Sequence, residues 1–188
     1  MEIINFKQLT PWNLVLNAAR QTVGKSCLDK EPSNSWKARI LLAEHSPIRL
    51  LQYMWTWKDI PYWVTNHLVR HHEGCEKFVV SQRDDRTNSN ISRKDKKQGE
   101  LISMSMTCNA QSLINISRKR LCNCASKETR EAWQLVKDEV AKVEPELANC
   151  MVKECVYRGF CPEMFSCGYN KTEAFKKELD EYRKGINE

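Results

Sequence analysis

From Leu51 the chain carries a large apolar residue at every second position: Leu51, Tyr53, Trp55 and Trp57 in "LLQYMWTW". A period of two buries one face and exposes the other, which is the pattern of a half-buried strand. "ELISMSMT" repeats it with Ile102, Met104 and Met106. Strands that are apolar on one face need a second layer to cover them. The remaining segments must supply that layer.

Several do so at helical spacing. "TPWNLVLNAARQTVGK" offers Thr10 as a cap, Pro11 in the first turn and Gly24 as a stop, with Trp12, Val15, Leu16 and Ala19 on one face. "SWKARILLAEHSP" reads as a short helix stopped near Pro47. Asp59 and Pro61 open another, "IPYWVTNHLVRHH", with Trp63, His67, Arg70 and His71 on one face and the basic residues Arg70, His71 and His72 in its last turn. "NAQSLINISRKRLC" and "KETREAWQLVKDEVAKV" bury Leu113, Ile116 and Leu121, then Trp133, Val136 and Val140. "EKFVVSQR" reads as extended, and "RDDRTNSNISRKDKKQGE" as a polar loop. "ANCMVKECVYRGFCPEMFSCGYN" reads as an irregular Cys-rich segment, and "KTEAFKKELDEYRKG" as a charged closing helix. The expected fold is α+β: a small twisted sheet flanked by helices, with a Cys-rich C-terminal extension.

The 188 residues make one domain by length, and their formal charge of +6 favours an anionic partner such as a nucleotide. No apolar run reaches the roughly 20 residues that span a bilayer, and "MEIINFKQLT" lacks the pattern of a signal peptide. A cytoplasmic protein with no membrane partner is expected. The nine cysteines then read as thiols, metal ligands or small buried hydrophobes rather than a disulfide frame. In the tail, Cys155, Cys161 and Cys167 recur every six residues, with Cys150 upstream. They lack a Cys-x-x-Cys knuckle, so buried structural thiols are expected there rather than a metal.

The chemistry concentrates in "VRHHEGCEKFVVSQRDDR". His67 and His71 stand at i and i+4, a spacing that seats two metal ligands, but no acidic or sulfur ligand shares their register, and no metal is expected. An oxyanion explains more. Arg70 and Arg83 carry planar forks suited to phosphate or carboxylate, Ser81 offers a hydroxyl, and neutral imidazoles can bond the heteroatoms of a planar ring. The basic run "SRKRL" lacks the interleaved aromatics of a single-strand platform, so nucleic acid is not the expected partner.

These residues carry a resemblance. "TNHLVRHHEGCEKFVVSQR" is similar to the signature of the flavin-dependent thymidylate synthases: Arg-His-Arg, a spacer, then Ser-x-Arg. "NAQSLINISRKRLCNCASKETRE" resembles that family's downstream block, while "AARQT" and "AEHSPIR" resemble two upstream blocks. The four blocks stand in the family's order between Ala18 and Glu131. The resemblance implies a homotetramer with FAD at the chain interfaces. It implies conversion of dUMP to dTMP, with methylenetetrahydrofolate as one-carbon donor and NADPH as reductant. It places Arg70, His71, His72, Asn109, Ser46 and Cys124 on the flavin side. His67, Ser81, Arg83, Arg93 and Arg120 fall on the nucleotide side, with Ser81 and Arg120 also assigned to catalysis.

Departures from the family pattern accompany the match. The spacer before Ser81 is one residue longer, and the acid expected near Val79 is missing. His72 replaces the second Arg, His67 a Gln, Gln111 an Arg and Cys124 a His. Hydroxymethylation of dUMP, chemistry on another pyrimidine nucleotide, and a non-enzymatic nucleotide- or RNA-binding role are therefore alternative readings. Residues 1–148 are expected to form the catalytic portion. Residues 149–188 would add the Cys-rich segment and closing helix within the same domain.

Overall fold

The computed structural model describes residues 1–87 and 90–187, so Asn88 and Ser89 of the polar loop and the terminal Glu188 lie outside the described residues. The chain opens with β1 (Glu2–Gln8), then α1 (Trp12–Gln21), α2 (Asn34–Leu42) and a 3-10 turn at Ser46–Leu50. β2 (Gln52–Pro61) leads into α3 (Tyr62–Leu68), β3 (Cys75–Val79) and the short α4 (Asp84–Thr87). β4 (Leu101–Asn109) runs directly into α5 (Ala110–Arg120), followed by α6 (Lys127–Val143), α7 (Pro145–Cys150), α8 (Glu154–Arg158) and α9 (Glu173–Asn187).

The strands form one antiparallel sheet in the order β1-β2-β4-β3. Its covered face carries the two alternating sets read from the sequence: Tyr53, Trp55 and Trp57, and Ile102, Met104 and Met106, all buried. Trp133 of α6 packs edge-on against Trp55, with ring centroids 6.1 Å apart. The indole N–H of Trp57 donates to the carbonyl of Ala132 at 2.9 Å, and that of Trp133 to Ser117 Oγ at 2.8 Å. Two tryptophans thus tie the sheet, α5 and α6 together, burying large apolar area while keeping their polar edges bonded.

Several expectations shift. β1 carries no period-two signal in the sequence, because Asn5 has φ +56 and lies in a register shift between Ile4 and Lys7 that breaks the alternation. Thr10 does not cap α1, because Pro11 occupies the N-cap position; Thr10 Oγ1 instead accepts from the backbone N–H of Gln52 at 3.1 Å. β2 absorbs Asp59 and Pro61, with a second bulge between Trp57 and Ile60 where Asp59 has φ +58. α3 therefore starts at Tyr62 and ends at Leu68, so Arg70, His71 and His72 lie beyond it in a crossing segment rather than in its last turn. The polar loop holds α4 and a 3-10 turn at Arg93–Asp95. The Cys-rich stretch contains α8, a 3-10 turn at Tyr169–Lys171 and part of α7. No helix among the described residues is long and apolar enough to cross a membrane.

The tail builds a small apolar cluster of its own from Val152, Cys155, Val156 and Phe175. It meets α5 through Arg118, whose guanidinium stacks over Tyr157 at 3.6 Å. Cys150 and Cys155 are buried as expected, but Cys161 is only half-buried and Cys167 is exposed.

Candidate active site

The site forms where β4 becomes α5. Cys75 pairs with Cys108 across β3 and β4, which brings the crossing segment at residues 70–74 to the sheet end where Asn109 sits. The backbone N–H of Asn109 donates to the carbonyl of Gly74 at 3.0 Å. Asn109 then caps α5, its Oδ1 accepting from the Ser112 backbone N–H at 2.9 Å and from Ser112 Oγ at 3.0 Å. Ser112 Oγ also lies 2.6 Å from the carbonyl of Glu73. Gly74 has φ +64, and a Cβ there would stand 2.2 Å from Asn109 Nδ2 and 2.5 Å from Ser112 Oγ. Only glycine lets the crossing chain come this close.

Two adjoining recesses open over this junction. One, of about 320 Å³, is lined by Arg70, His71, His72, Glu73, Ser112, Asn115 and Ile116. The other, of about 740 Å³, shares Glu73, Ser112 and Asn115 and adds Glu44, Arg49, Gly74, Asn109 and Gln111. Four of the six flavin-side candidates thus gather here: Arg70, His71, His72 and Asn109. Ser46 stands exposed at the start of the 3-10 turn, between Glu44 and Arg49 in sequence. Cys124 is exposed beyond α5, its thiol 3.7 Å from the carbonyl of Phe165.

Arg120 joins one nucleotide-side candidate, His67, to a flavin-side one, His71. Its Nε donates to His71 Nε2 at 2.8 Å, and its Nη2 to the backbone carbonyl of His67 at 2.7 Å. Burial, with the charges of Arg120, Lys77 and His72, lowers the His71 pKa to about 4. The ring is therefore neutral at neutral pH, and since Nε2 accepts, its hydrogen sits on Nδ1. Burial and the nearby Arg120 and Arg70 lower the His67 pKa as well. Among the described residues, no group of three or more His, Cys, Asp or Glu side chains could hold a metal ion.

Ser81, Arg83 and Arg93 stand elsewhere. Val80 still bonds to the sheet, its N–H donating to the carbonyl of Ser103 at 3.2 Å. Ser81 thus lies beyond the far end of β3 from the 70–74 segment, roughly 20 Å from Cys75 at about 3.3 Å per residue. Arg83 is exposed, and its fork engages Asp85 at 2.9 and 2.5 Å. Arg93 is exposed in its 3-10 turn.

Glu44, Arg49, Glu73, Gly74, Gln111, Ser112, Asn115 and Ile116 also line the recesses, beyond the residues the sequence pattern marks. Part of this was readable: Asn109, Ser112 and Asn115 recur every three positions, which keeps them on one helix side. Glu44 was not readable, because its position depends on a left-handed backbone (φ +48). Its carboxylate pairs with Arg118 and accepts from Gln111 Nε2 at 2.5 Å. The "SRKRL" run is largely engaged internally: Arg118 with Glu44 and Tyr157, Arg120 with His67 and His71, and Lys119 with Glu163 at 3.6 Å.

The donor set of the recesses fits FAD. Arg49 and Arg70 have no acidic partner among the described residues, and suit a pyrophosphate. No hydrogen bond engages Nδ2 of Asn109 or Asn115 among the described residues, and with Nδ1 of His71 they offer neutral donors suited to ring heteroatoms.

The fold is that of the flavin-dependent thymidylate synthases, so the resemblance read from the sequence holds at the level of the fold. The chain is similar to ThyX from Helicobacter pylori, complexed with FAD and dUMP, at 16% identity and TM-score 0.66, over 81% of this chain and 100% of that one. A second structure of Helicobacter pylori ThyX with FAD and dUMP matches at 16% identity and TM-score 0.63, over 80% and 99%. The UMP/dUMP methylase PolB from Streptomyces cacaoi, bound with 5-Br dUMP, matches at 14% identity and TM-score 0.60, over 85% and 96%. No family model matches the sequence, and no curated protein matches it.

Proposed function

We propose that this chain is a flavin-dependent enzyme that methylates dUMP to dTMP, with methylenetetrahydrofolate as one-carbon donor and NADPH as reductant. The observation that carries the reading is the neutral His71 bonded to Arg120 at a cleft whose other donors, Arg70, Asn109 and Asn115, suit FAD. When bound, FAD would supply the hydride chemistry. Arg70, His71, His72, Asn109 and Ser46 would hold it, with Cys124 at the margin. Arg120, His67, Ser81, Arg83 and Arg93 would hold the nucleotide, Arg83 gripping its phosphate and Ser81 and Arg120 orienting the reacting pyrimidine. Residues 1–148 would carry this site, and residues 149–188 would brace the outer side of α5.

The distance between Ser81 and the 70–74 segment favours an assembled site. A homotetramer would bring one chain's Ser81 and Arg83 to another chain's Arg120. Phe78, Val80 and Leu101 share the uncovered sheet face and are 60%, 44% and 59% exposed, which supports a chain–chain contact there. The missing acid near Val79 also keeps hydroxymethylation of dUMP in view as a second reading.

Purified protein should carry flavin absorbance or quench FAD fluorescence on titration; a colourless protein that does neither overturns the enzyme reading. Arg83→Ala should abolish dUMP binding and leave FAD bound, and equal loss of both would overturn the division of roles. Product mass separates dTMP from a hydroxymethyl nucleotide, and sedimentation tests the tetramer. The cytoplasm is the proposed location.

A further inference from the structure

Cys75 and Cys108 face each other across β3 and β4. The sheet bonds around them fix the type of pair. The Asn109 N–H donates to the Gly74 carbonyl at 3.0 Å, and the Val80 N–H to the Ser103 carbonyl at 3.2 Å. Hydrogen-bonded and non-hydrogen-bonded pairs alternate along an antiparallel ladder, and the register runs unbroken from Cys75 to Val79. Gly74 and Asn109 are bonded, so Cys75 and Cys108 form a non-hydrogen-bonded pair. Such pairs hold their Cα atoms about 4.5 Å apart with both side chains on one face, within the range that a disulfide spans. The two thiols hydrogen-bond to each other, and both are free.

The pair lies buried beside the cleft, Cys75 at 5% exposure and Cys108 at 1%. The Cys75 thiol also hydrogen-bonds to Ser112, which lines both recesses, and the adjoining Gly74 lines the larger one. A small oxidant that reaches the cleft floor therefore meets Cys75 first. Contact with Cys108 and Ser112, with the charge of Lys77, holds the Cys75 thiol below its ordinary pKa against the opposing effect of burial. Burial lifts that of Cys108. Cys75 is thus the more readily ionised sulfur of the two, and the thiolate is the attacking form.

We propose that Cys75 and Cys108 are a redox-active pair, which hydrogen peroxide closes to a cross-strand disulfide at the edge of the cleft. The Cys75 sulfur attacks one peroxide oxygen and the O–O bond breaks. The departing hydroxide takes the Cys75 proton and leaves as water, so Cys75 becomes a sulfenic acid. The Cys108 sulfur then displaces that hydroxyl, which leaves as water with the Cys108 proton. Two thiols and one peroxide give one disulfide and two waters; sulfur loses two electrons and the peroxide oxygens gain them. The new bond ties the first residue of β3 to the end of β4 and holds residues 70–74 against Asn109. The step needs only the strand register and the cleft-side thiol, so it stands whether or not the cleft holds flavin.

The test treats the folded wild-type chain with hydrogen peroxide, quenches with catalase, alkylates the remaining thiols and maps the digest by mass spectrometry. Cys75 and Cys108 should escape alkylation and appear in one linked peptide, which dithiothreitol separates. The same treatment in urea should not favour that link, because the strand register is gone. Cys108→Ala should stop at a sulfenic acid on Cys75, trapped by dimedone, and Cys75→Ala should leave Cys108 a free thiol. A folded wild type in which the exposed Cys27, Cys124 and Cys167 oxidise while Cys75 and Cys108 remain thiols overturns the pair. So does an equal yield of the Cys75–Cys108 link in urea. A dimedone adduct on Cys108 in Cys75→Ala overturns the order of attack. The wild-type measurements decide the proposal even where a variant fails to fold.

Discussion

Arg120 donates through Nε to Nε2 of His71 at 2.8 Å, joining the end of α5 to the segment that follows α3. This bond requires a bare nitrogen on the histidine, and burial beside Arg120 keeps it bare by lowering the pKa to about 4. Replacing Arg120 with leucine removes one cation and leaves the ring shielded from water. The His71 pKa should then rise toward its ordinary 6.5 without reaching it, because burial is the larger cause. An NMR titration of the wild type and variant measures the shift.

Gly74 is the tightest point of the site. Alanine there would meet the Asn109 amide and the Ser112 hydroxyl, and would have to adopt φ +64. Gly74→Ala should cost about 1–3 kcal/mol in chemical denaturation. It should also displace the α5 cap, so FAD affinity should fall with stability. Unchanged FAD affinity in the folded variant would place the flavin away from this junction.

Trp133 joins two layers by packing and a third contact by its N–H. Trp133→Ala should destabilise the fold by about 3–5 kcal/mol, a large share of the 5–15 kcal/mol that small domains possess. Trp133→Phe should cost less, since it keeps most of the ring and loses the bond to Ser117. Urea unfolding followed by circular dichroism ranks the two.

Glu144 is a buried carboxylate that accepts from the indole N–H of Trp12, with Lys37 at 3.7 Å. Burial, reinforced by Glu146, raises its pKa from 4.5 to about 7 despite Trp12 and Lys37. The folded chain therefore keeps a proton that the unfolded chain releases between those values, and stability should fall as pH rises across that window. Glu144→Gln keeps an acceptor for Trp12 and has nothing to titrate. Its thermal midpoint should depend less on pH between 4.5 and about 7 than that of the wild type.

The covered sheet was readable because period-two patterning reports burial directly. Tyr53, Trp55, Trp57, Ile102, Met104 and Met106 all face the core. β1 carries no such signal because its bulge at Asn5 breaks the period, and α3 starts later than its sequence pattern because Pro61 closes a strand. The Arg70–His72 and Asn109 blocks, far apart in the sequence, line adjoining recesses in the fold. The partners of those residues were not readable, since hydrogen bonds such as Arg120 to His71 join positions 49 residues apart.

Local pattern therefore determined which segments are strands and helices, and which residue types could meet an anionic ligand, because those properties depend on neighbours a turn or two away. Tertiary structure alone decided the protonation of His71, the pairing of Glu44 with Arg118, and the separation of Ser81 from the 70–74 segment. Each of these depends on desolvation or on bonds between distant segments, which exist only once α5 and α6 have packed onto the sheet.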